Sequence, residues 1–552
     1  MQKLKQWAKK NREKIFDVIF LAVIVIAYSI LAFLNLGDDV APQTFHRAQA
    51  NEYFTIVLPE EKRVSAVMIY TGETEADFTG KYSVLESGKT TYNSGKEYAF
   101  EGSFKWTRIA INRKTSGIRI TSSAGREISY GEIGVLDENE KLISGVTVQR
   151  EIFAEENLET TMGELVDEQD TVVTHPTSMN TTYFDEVYFA QTAYEYANGL
   201  VGWETVHPPL GKILQSIPIA ITGRMTPFTW RMGGTICGII IVIVAYFLAK
   251  QIFKKSGYAR FTAILVSLSG LHFTQTRIGT IDSWLCLFTM LSYLFMFKFV
   301  EGKKFRNFLL SGVFFGCAFA TKWSGAFGGI GLAILFFKYL LDQGFWTTKT
   351  LRFREIFKNL FEKNVRKWTL RGFLCFILIP GTIYCSSYLL FPNTTNAHGL
   401  NDVSKQSLHL YRYHSHENTP HPYSSKWYTW PIALKPMLYA LDRTEKTSIS
   451  LMANYTIAYV SIIGLFISLY FGIKKKDASS TYILLAWLSL WLPYGLISRP
   501  MFLYHYLPAS IFAILAVVNI FKQIPFIRKL IPYYIAAVLL SFIVCYPKMT
   551  GV

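Results

Sequence analysis

Apolar runs of bilayer length recur along most of this chain, and they fix its fold class before any motif is considered. A helix rises about 1.5 Å per residue, so about 20 apolar residues cross the hydrocarbon. Runs of that order lie at Ile15–Leu34 and at 230–249, 260–274, 281–300, 306–320, 323–341, 372–391, 453–472, 480–497, 503–520 and 530–546. They predict a polytopic α-helical membrane protein with about eleven transmembrane helices. The net charge of +16 would suit a nucleic-acid binder, but such a binder needs one contiguous basic face. Here Lys250–Lys255, Lys303–Arg306, Lys349–Arg371, Lys474–Lys476 and Lys522–Lys529 sit in short segments between apolar runs. That is the pattern of cytoplasmic loops. It predicts a multi-pass plasma-membrane protein with a cytoplasmic N-terminus and no nucleic-acid partner.

The basic residues 1–14 and the run after them form an uncleaved anchor in this reading. Ala48-Gln49-Ala50 resembles a signal-peptidase site but lies too far downstream of a run too long for a signal sequence. All six cysteines fall in or beside apolar runs and imply no disulfide framework.

Residues 37–175 change character. Short alternating runs, Tyr53–Leu58, Ala66–Tyr70, Trp106–Asn112, Ile118–Thr121 and Glu132–Leu136, are separated by turn signals such as Thr71-Gly72, Ser87-Gly88 and Ser123–Gly125. Period-2 runs at this spacing predict an antiparallel β-sandwich inserted after the first span. Its later strands resemble a discoidin-like jelly roll, a fold that serves as a spacer or binds a glycan or surface ligand. Residues 151–178 are expected to link it back to the membrane. The remaining boundaries are a core over 176–391, an outer-face loop over 392–452 and C-terminal helices over 453–552.

The chemistry-bearing residues gather in the loops opposite the basic ones. Tyr183-Phe184-Asp185-Glu186-Val187-Tyr188 sets two carboxylates side by side among aromatics. Neighbouring helical residues point about 100° apart, so one carboxylate can take a proton while the other holds structure; a bland helix start is the alternative. His207-Pro208-Pro209-Leu210-Gly211-Lys212 follows. Leu210, Ile213, Leu214 and Ile217 then mark a short interfacial helix with Lys212, Gln215 and Ser216 on its polar side. Arg231 opens a span, Arg277 and Asp282 frame the mouth of two others, and Lys322 stands between two runs. Each cation can serve a ligand, pair structurally (Arg277 with Asp282) or snorkel to headgroups. The outer-face loop carries His409, His414, His416, His421, Tyr423 and Trp427, and Arg499 and His505 follow. Their spacing offers no metal-ligand signature. Cations suit a lipid phosphate, aromatics a sugar ring and a carboxylate an incoming hydroxyl, which together suggest glycosyl transfer from a lipid-phosphate donor. A transporter or surface sensor is the other class, but no internal repeat is present. Asn180, Asn393 and Asn454 begin N-x-S/T sequons.

Taken in order, Tyr-Phe-Asp185-Glu186-Val, His207 to Lys212, Met225 to Arg231, Arg277-x4-Asp282, Thr321-Lys-Trp-Ser-Gly325, His421-Pro-Tyr-Ser-Ser-x-Trp427 and Arg499-x-x-Phe-x-Tyr-His505-Tyr resemble the protein O-mannosyltransferases. The resemblance covers nearly all of 1–36 and 176–552. It departs in the inserted sandwich and in the shortness of 392–452. It implies a GT-C membrane fold and inverting transfer of mannose from a polyprenyl-phosphate donor to Ser/Thr hydroxyls of exported proteins, outside the cytoplasm. A cell-wall polymer or lipid acceptor is the alternative. It further implies Asp185 as general base with Glu186 in support. Arg231, Arg277, Asp282, Lys322, Arg499 and His505 are then expected around the donor phosphate and sugar, with His207, Lys212, His421, Tyr423 and Trp427 lining the cleft. No cofactor is expected, because the phosphate leaves already ionised; a divalent metal, used by some GT-C enzymes, is the alternative.

Overall fold

The computed structural model describes residues 2–49, 52–74, 77–100, 102–122, 127–151, 162–342, 363–391, 399–442 and 444–551. The Ser123–Gly125 turn, residues 152–161 of the expected linker, residues 349–362 of the basic block and the Asn393 sequon lie outside the described residues. The chain divides into two compact units. One comprises 1–34, 204–215 and 232–552, and the other 35–203 and 216–231.

The first unit is helical. Among the described residues, eight helices are long and apolar enough to cross a membrane. They match eight of the eleven predicted spans, and the other three are shorter. The 260–274 run is broken into α5 (Ser256–Ser267) and α6 (Gly270–Thr276), where Ser269 caps α6 by accepting from the His272 N–H. The 306–320 run is a 17-residue helix, Phe305–Thr321, and the 480–497 run is a 14-residue helix ending in a 3-10 turn. Hydropathy registers apolar length but not a capping side chain, so it merges pieces that the backbone separates. Leu507–Gln523 forms the central post, buried from Leu507 to Phe521. Helices approach closely through glycines: a Cβ on Gly464 would sit 2.4 Å from the Ala516 carbonyl oxygen.

The first helix, α1 (Gln2–Phe33), is pinned at two levels. Asp17, nearly buried, accepts from Lys250 Nζ at 2.8 Å, Ser256 Oγ at 2.7 Å and Arg260 Nη1 at 2.6 Å. Near its other end, Arg277 donates to the Ala32 and Leu34 carbonyls at 3.1 and 2.7 Å. The last carbonyls of a helix lack internal partners and carry negative partial charge, so a guanidinium there satisfies both needs.

The second unit is built on antiparallel strands in the order β1-β6-β2-β5-β3-β4, with β7 also paired to β2. The strands are β1 His46–Ala48, β2 Tyr53–Thr71, β3 Phe78–Val84, β4 Lys96–Phe100, β5 Lys105–Ser122, β6 Ile128–Asp137 and β7 Thr147–Glu151. Hydrogen bonding runs continuously through all seven, because β2 and β5 are long strands shared along their length. The two predicted strands within 53–70 are one strand of 19 residues. The charged middle, Pro59 to Arg63, resembles a turn in sequence but is carried across by pairing Lys62 with Thr115 and Arg63 with Lys114, with register shifts on either side.

Successive strand residues face opposite sides, and here both sides are buried. Val67, Ile69, Ile133 and Val135 enter one core with Phe54, Ile56, Ile118 and Ile120. Ala66, Met68, Tyr70, Trp106 and Leu136 enter another, with Ala190, Ala193, Ile219, Met225 and Trp230. Each such fully buried aliphatic side chain contributes about 1.5–3 kcal/mol. The second core seats α2 (Glu186–Ala197), the helix that begins at the paired carboxylates. The insert is therefore the platform of that helix.

Candidate active site

In the second unit, Asp185 is the N-cap residue of α2 and is half-buried. Phe184 before it has φ +52°, a left-handed conformation that costs a bulky side chain energy and persists only where its surroundings impose it. Those surroundings come from the loop between β4 and β5. Thr182 Oγ1 donates to the Ser103 carbonyl at 2.6 Å, and the Thr182 N–H donates to the Phe104 carbonyl at 3.2 Å. Ser103 Oγ is bonded to Gln191 on α2.

Glu186 faces inward and is fully buried. It accepts from Arg231 Nε and Nη2, both at 2.8 Å, a bidentate pair. Arg231 also donates to the Leu36 and Thr181 carbonyls, both at 2.9 Å, and stacks 4.5 Å from the Tyr183 ring centroid. With its fork so engaged, Arg231 braces the Asp185 loop, which is the structural alternative among its expected roles. Sequence reading passed over Asp38, whose carboxyl is raised by burial against the pull of Arg231.

In the first unit, a second cluster forms around Glu204, which the sequence reading did not single out. Its carboxylate accepts from Lys212 Nζ at 2.6 Å, His207 Nδ1 at 2.9 Å and the Val206 N–H at 3.0 Å. Lys212 is fully buried and donates also to the His207 carbonyl at 2.9 Å. Lys212 is thus a loop-holding residue of the cleft, and its helix, α3 (Leu210–Thr222), reverses the expected amphipathicity. Lys212, Gln215 and Ser216 are buried, while Ile217 and Ile221 are exposed. For a helix beside lipid, that is the favourable way round.

Burial pushes the Glu204 carboxyl up, but Lys212 and His207 outweigh it and hold the carboxyl at about 2. Burial lowers His207, opposed by Glu204, and it lowers His414 to about 4, helped by His207 and Arg499. A carboxyl with a depressed folded pKa stabilises fully above its unfolded value, 4.5 here, and loses that contribution as pH falls towards about 2. Histidines held neutral act in the same direction, since acid must charge them. Acid-unfolding curves of wild type and Glu204→Gln should therefore differ at neutral pH and converge between about pH 4.5 and 2. Parallel curves down to pH 2 would show that the carboxylate clasp contributes nothing.

His207 opens onto a cavity of about 420 Å³ whose wall includes Lys322, Trp323, His414, Tyr494, Arg499 and His505. Lys322 Nζ contacts Asp282 at 2.9 Å and lies 5.1 Å from the Tyr504 ring centroid. Asp282 thus pairs with Lys322, forty residues on, and the alternative Arg277–Asp282 pairing is not formed. Arg277 serves the end of α1. His505 stacks on Tyr504 at 4.4 Å and on Trp430 at 6.0 Å, and its Nδ1 donates to the Phe502 carbonyl at 3.1 Å. His414 Nε2 donates to the Val206 carbonyl at 2.8 Å, and its buried Nδ1 has no partner among the described residues. Arg499 is half-buried and makes no hydrogen bond or ion pair among the described residues.

A second cavity, of about 580 Å³, includes His421, Lys426, Trp427 and Lys435 in its wall and shares Tyr494, Ile497, Arg499 and Met501 with the first. His421 packs 5.0 Å from Phe502, and Tyr423 donates its backbone N–H to His421 Nδ1. Tyr423 itself is not among the described residues that line either cavity. The first cavity combines aromatic walls with an uncommitted guanidinium. Such a site can hold an anionic head group attached to a polar ring.

As to a metal, one group of three close carboxylates occurs among the described residues, Glu132, Asp167 and Glu168 in the sheet unit. It is internally satisfied. Glu132 accepts from the Glu168 N–H at 2.9 Å, Glu168 from the Thr44 N–H at 3.0 Å and Asp167 from Thr44 Oγ1 at 3.1 Å.

Comparison with known proteins places these clusters in context. The family model for dolichyl-phosphate-mannose-protein mannosyltransferase matches residues 206–354. The model for the C-terminal four-transmembrane region of protein O-mannosyltransferase matches residues 400–550. A polyprenol-phosphate-mannose–protein mannosyltransferase of Mycolicibacterium smegmatis is 25% identical over 462 residues, 68% of this chain and 85% of that protein. The similarly named protein of Mycobacterium tuberculosis is 26% identical over 325 residues, covering 49% and 60%. In three dimensions the chain resembles the Saccharomyces cerevisiae protein O-mannosyltransferase Pmt1-Pmt2 complex bound to the sugar donor. That match has a TM-score of 0.57 at 14% identity and covers 67% of this chain and 87% of that one.

Proposed function

Since the chain belongs to the protein O-mannosyltransferase family, a group of multi-pass membrane glycosyltransferases, we propose that it moves mannose from a polyprenyl-phosphate donor to Ser/Thr hydroxyls of exported proteins. The site faces outward from the plasma membrane, with the N-terminus in the cytoplasm. The observation that carries this reading is the 420 Å³ cavity, where Arg499 stands uncommitted among Lys322, His207, His414 and His505. Arg499 binds the donor phosphate, and the Lys322–Asp282 pair and His505 form the floor beneath it.

The step is a direct displacement. The acceptor oxygen bonds to the anomeric carbon as the bond from that carbon to the phosphate oxygen breaks, and the configuration inverts. Asp185 takes the hydroxyl proton, and the bonding pair leaves with the lipid phosphate. Arg499 and its neighbours stabilise the charge that grows on that phosphate, an effect that counts for more in a dry site than in water. No step is routed through a metal. The sheet unit holds the Asp185 loop in shape, and its jelly-roll likeness serves that support in preference to a separate glycan or surface ligand.

Purified protein in nanodiscs, given radiolabelled polyprenyl-phosphate-mannose and Ser/Thr peptides, should label the peptides. Label moved only to a wall polymer or a lipid would replace the acceptor, and no turnover of any lipid-linked sugar would overturn the reading. In the same assay Arg499→Gln should raise the donor KM about 10- to 100-fold, the worth of one charge-assisted contact. An unchanged donor KM would remove Arg499 from the phosphate site.

A further inference from the structure

We infer that the 580 Å³ cavity is the acceptor subsite and that it selects polypeptide segments carrying a carboxylate side chain close to the target hydroxyl, an inference that rests on the transfer reaction proposed above. Position is the first argument. The two cavities share Tyr494, Ile497, Arg499 and Met501, so a chain lying in the larger one runs along the wall of the donor cavity. Polarity is the second. Asn418, Ser424 and Thr429 offer the mixed donors and acceptors that an extended backbone needs, and Trp427, packed 4.7 Å from Trp491, gives one flat apolar side.

Charge is the third argument, and it sets the selectivity. The wall carries Lys426, Lys435, Arg499 and His421 and no carboxylate among its described residues. Lys435 is spent on the Pro422 and Ser424 carbonyls at 2.6 and 3.0 Å, so it shapes the loop. Lys426 is exposed, and its ammonium makes no hydrogen bond or ion pair among the described residues. The adjoining Glu417 is turned to the Thr419 N–H at 2.8 Å and does not neutralise Lys426. With Lys435 engaged in the loop, and Arg499 assigned to the donor phosphate and acting on Glu417, the Lys426 ammonium is the remaining cation among the wall's described residues, and it attracts an acidic segment and disfavours a basic one.

The test compares peptides with one Thr flanked by Glu, Gln or Lys, using wild type, Lys426→Gln and Lys426→Glu in nanodiscs. With wild type the Glu peptide should have a KM about 2- to 5-fold below the Gln peptide, with the Lys peptide weakest. Lys426→Gln should shrink that ratio, and Lys426→Glu should reverse it. The ratio is read within each preparation, so a partly folded variant does not mask it. A Glu peptide with Ala for Thr should compete with acceptor and not with donor. Equal KM values for the three peptides in wild type, or an unchanged ranking in Lys426→Glu, would overturn the inference while transfer itself stands. Donor cleavage with no transfer to any peptide would instead overturn the function on which it rests.

Discussion

Asp185→Asn should give a folded protein that still binds the lipid donor but turns over about 10²- to 10⁴-fold more slowly, the usual contribution of a positioned base. The substitution keeps the shape of the N-cap residue of α2 and removes the charge with which it would take a proton. The loss should therefore appear in kcat, with the donor KM held. Titration of labelled donor in the absence of acceptor checks the second half of that statement. A loss of donor affinity equal to the loss of rate would place Asp185 on the donor instead. Full activity in a folded variant would remove it from the mechanism.

Arg231→Met should be the most damaging single change for stability. Glu186 and Arg231 are both buried, at 0% and 1% side-chain exposure, and removing one partner strands the other's charge away from water. Such losses run to about 3–5 kcal/mol. The expected result is a large fall in thermal stability and early proteolysis within 35–231, and Glu186→Leu should behave similarly. The double variant removes both charges, so it should be more stable than either single one. If both single variants melted with wild type, the pair would be shown to contribute little. Activity separates this role from that of Asp185, since the double variant should recover fold before it recovers rate.

The parts legible in the sequence were those set by local composition. Apolar length located eight helices able to span. What escaped was decided by partners far along the chain. Arg277 and Asp282 are near neighbours in sequence, yet Arg277 turns to the carbonyls at the end of α1 while Asp282 meets Lys322. Nothing local to either residue indicates that choice. Glu204 escaped because a single acid among aromatics carries no motif, although its spacing of three to His207 and eight to Lys212 was a usable signal. The polar face of α3 was recognised but given to water, because the pattern of an interfacial helix in solvent and that of a helix turned inward from lipid are mirror images. In the sheet, alternation located strand segments, but the charged stretch within β2 hid the continuity that pairing with β5 imposes.

The clasp between Glu186 and Arg231 also sets an order of events during synthesis. Its two halves are 45 residues apart, and the later half lies at the start of α4 (Pro227–Phe253), a membrane-length helix. Until that helix emerges, every strand of the platform can already have formed, yet burying Glu186 would leave an unpaired charge in a dry interior. The segment bearing Asp185 is therefore expected to dock only once Arg231 has been made. A nascent chain that stalls before Arg231 should therefore carry Glu186 without the partner that its buried position requires.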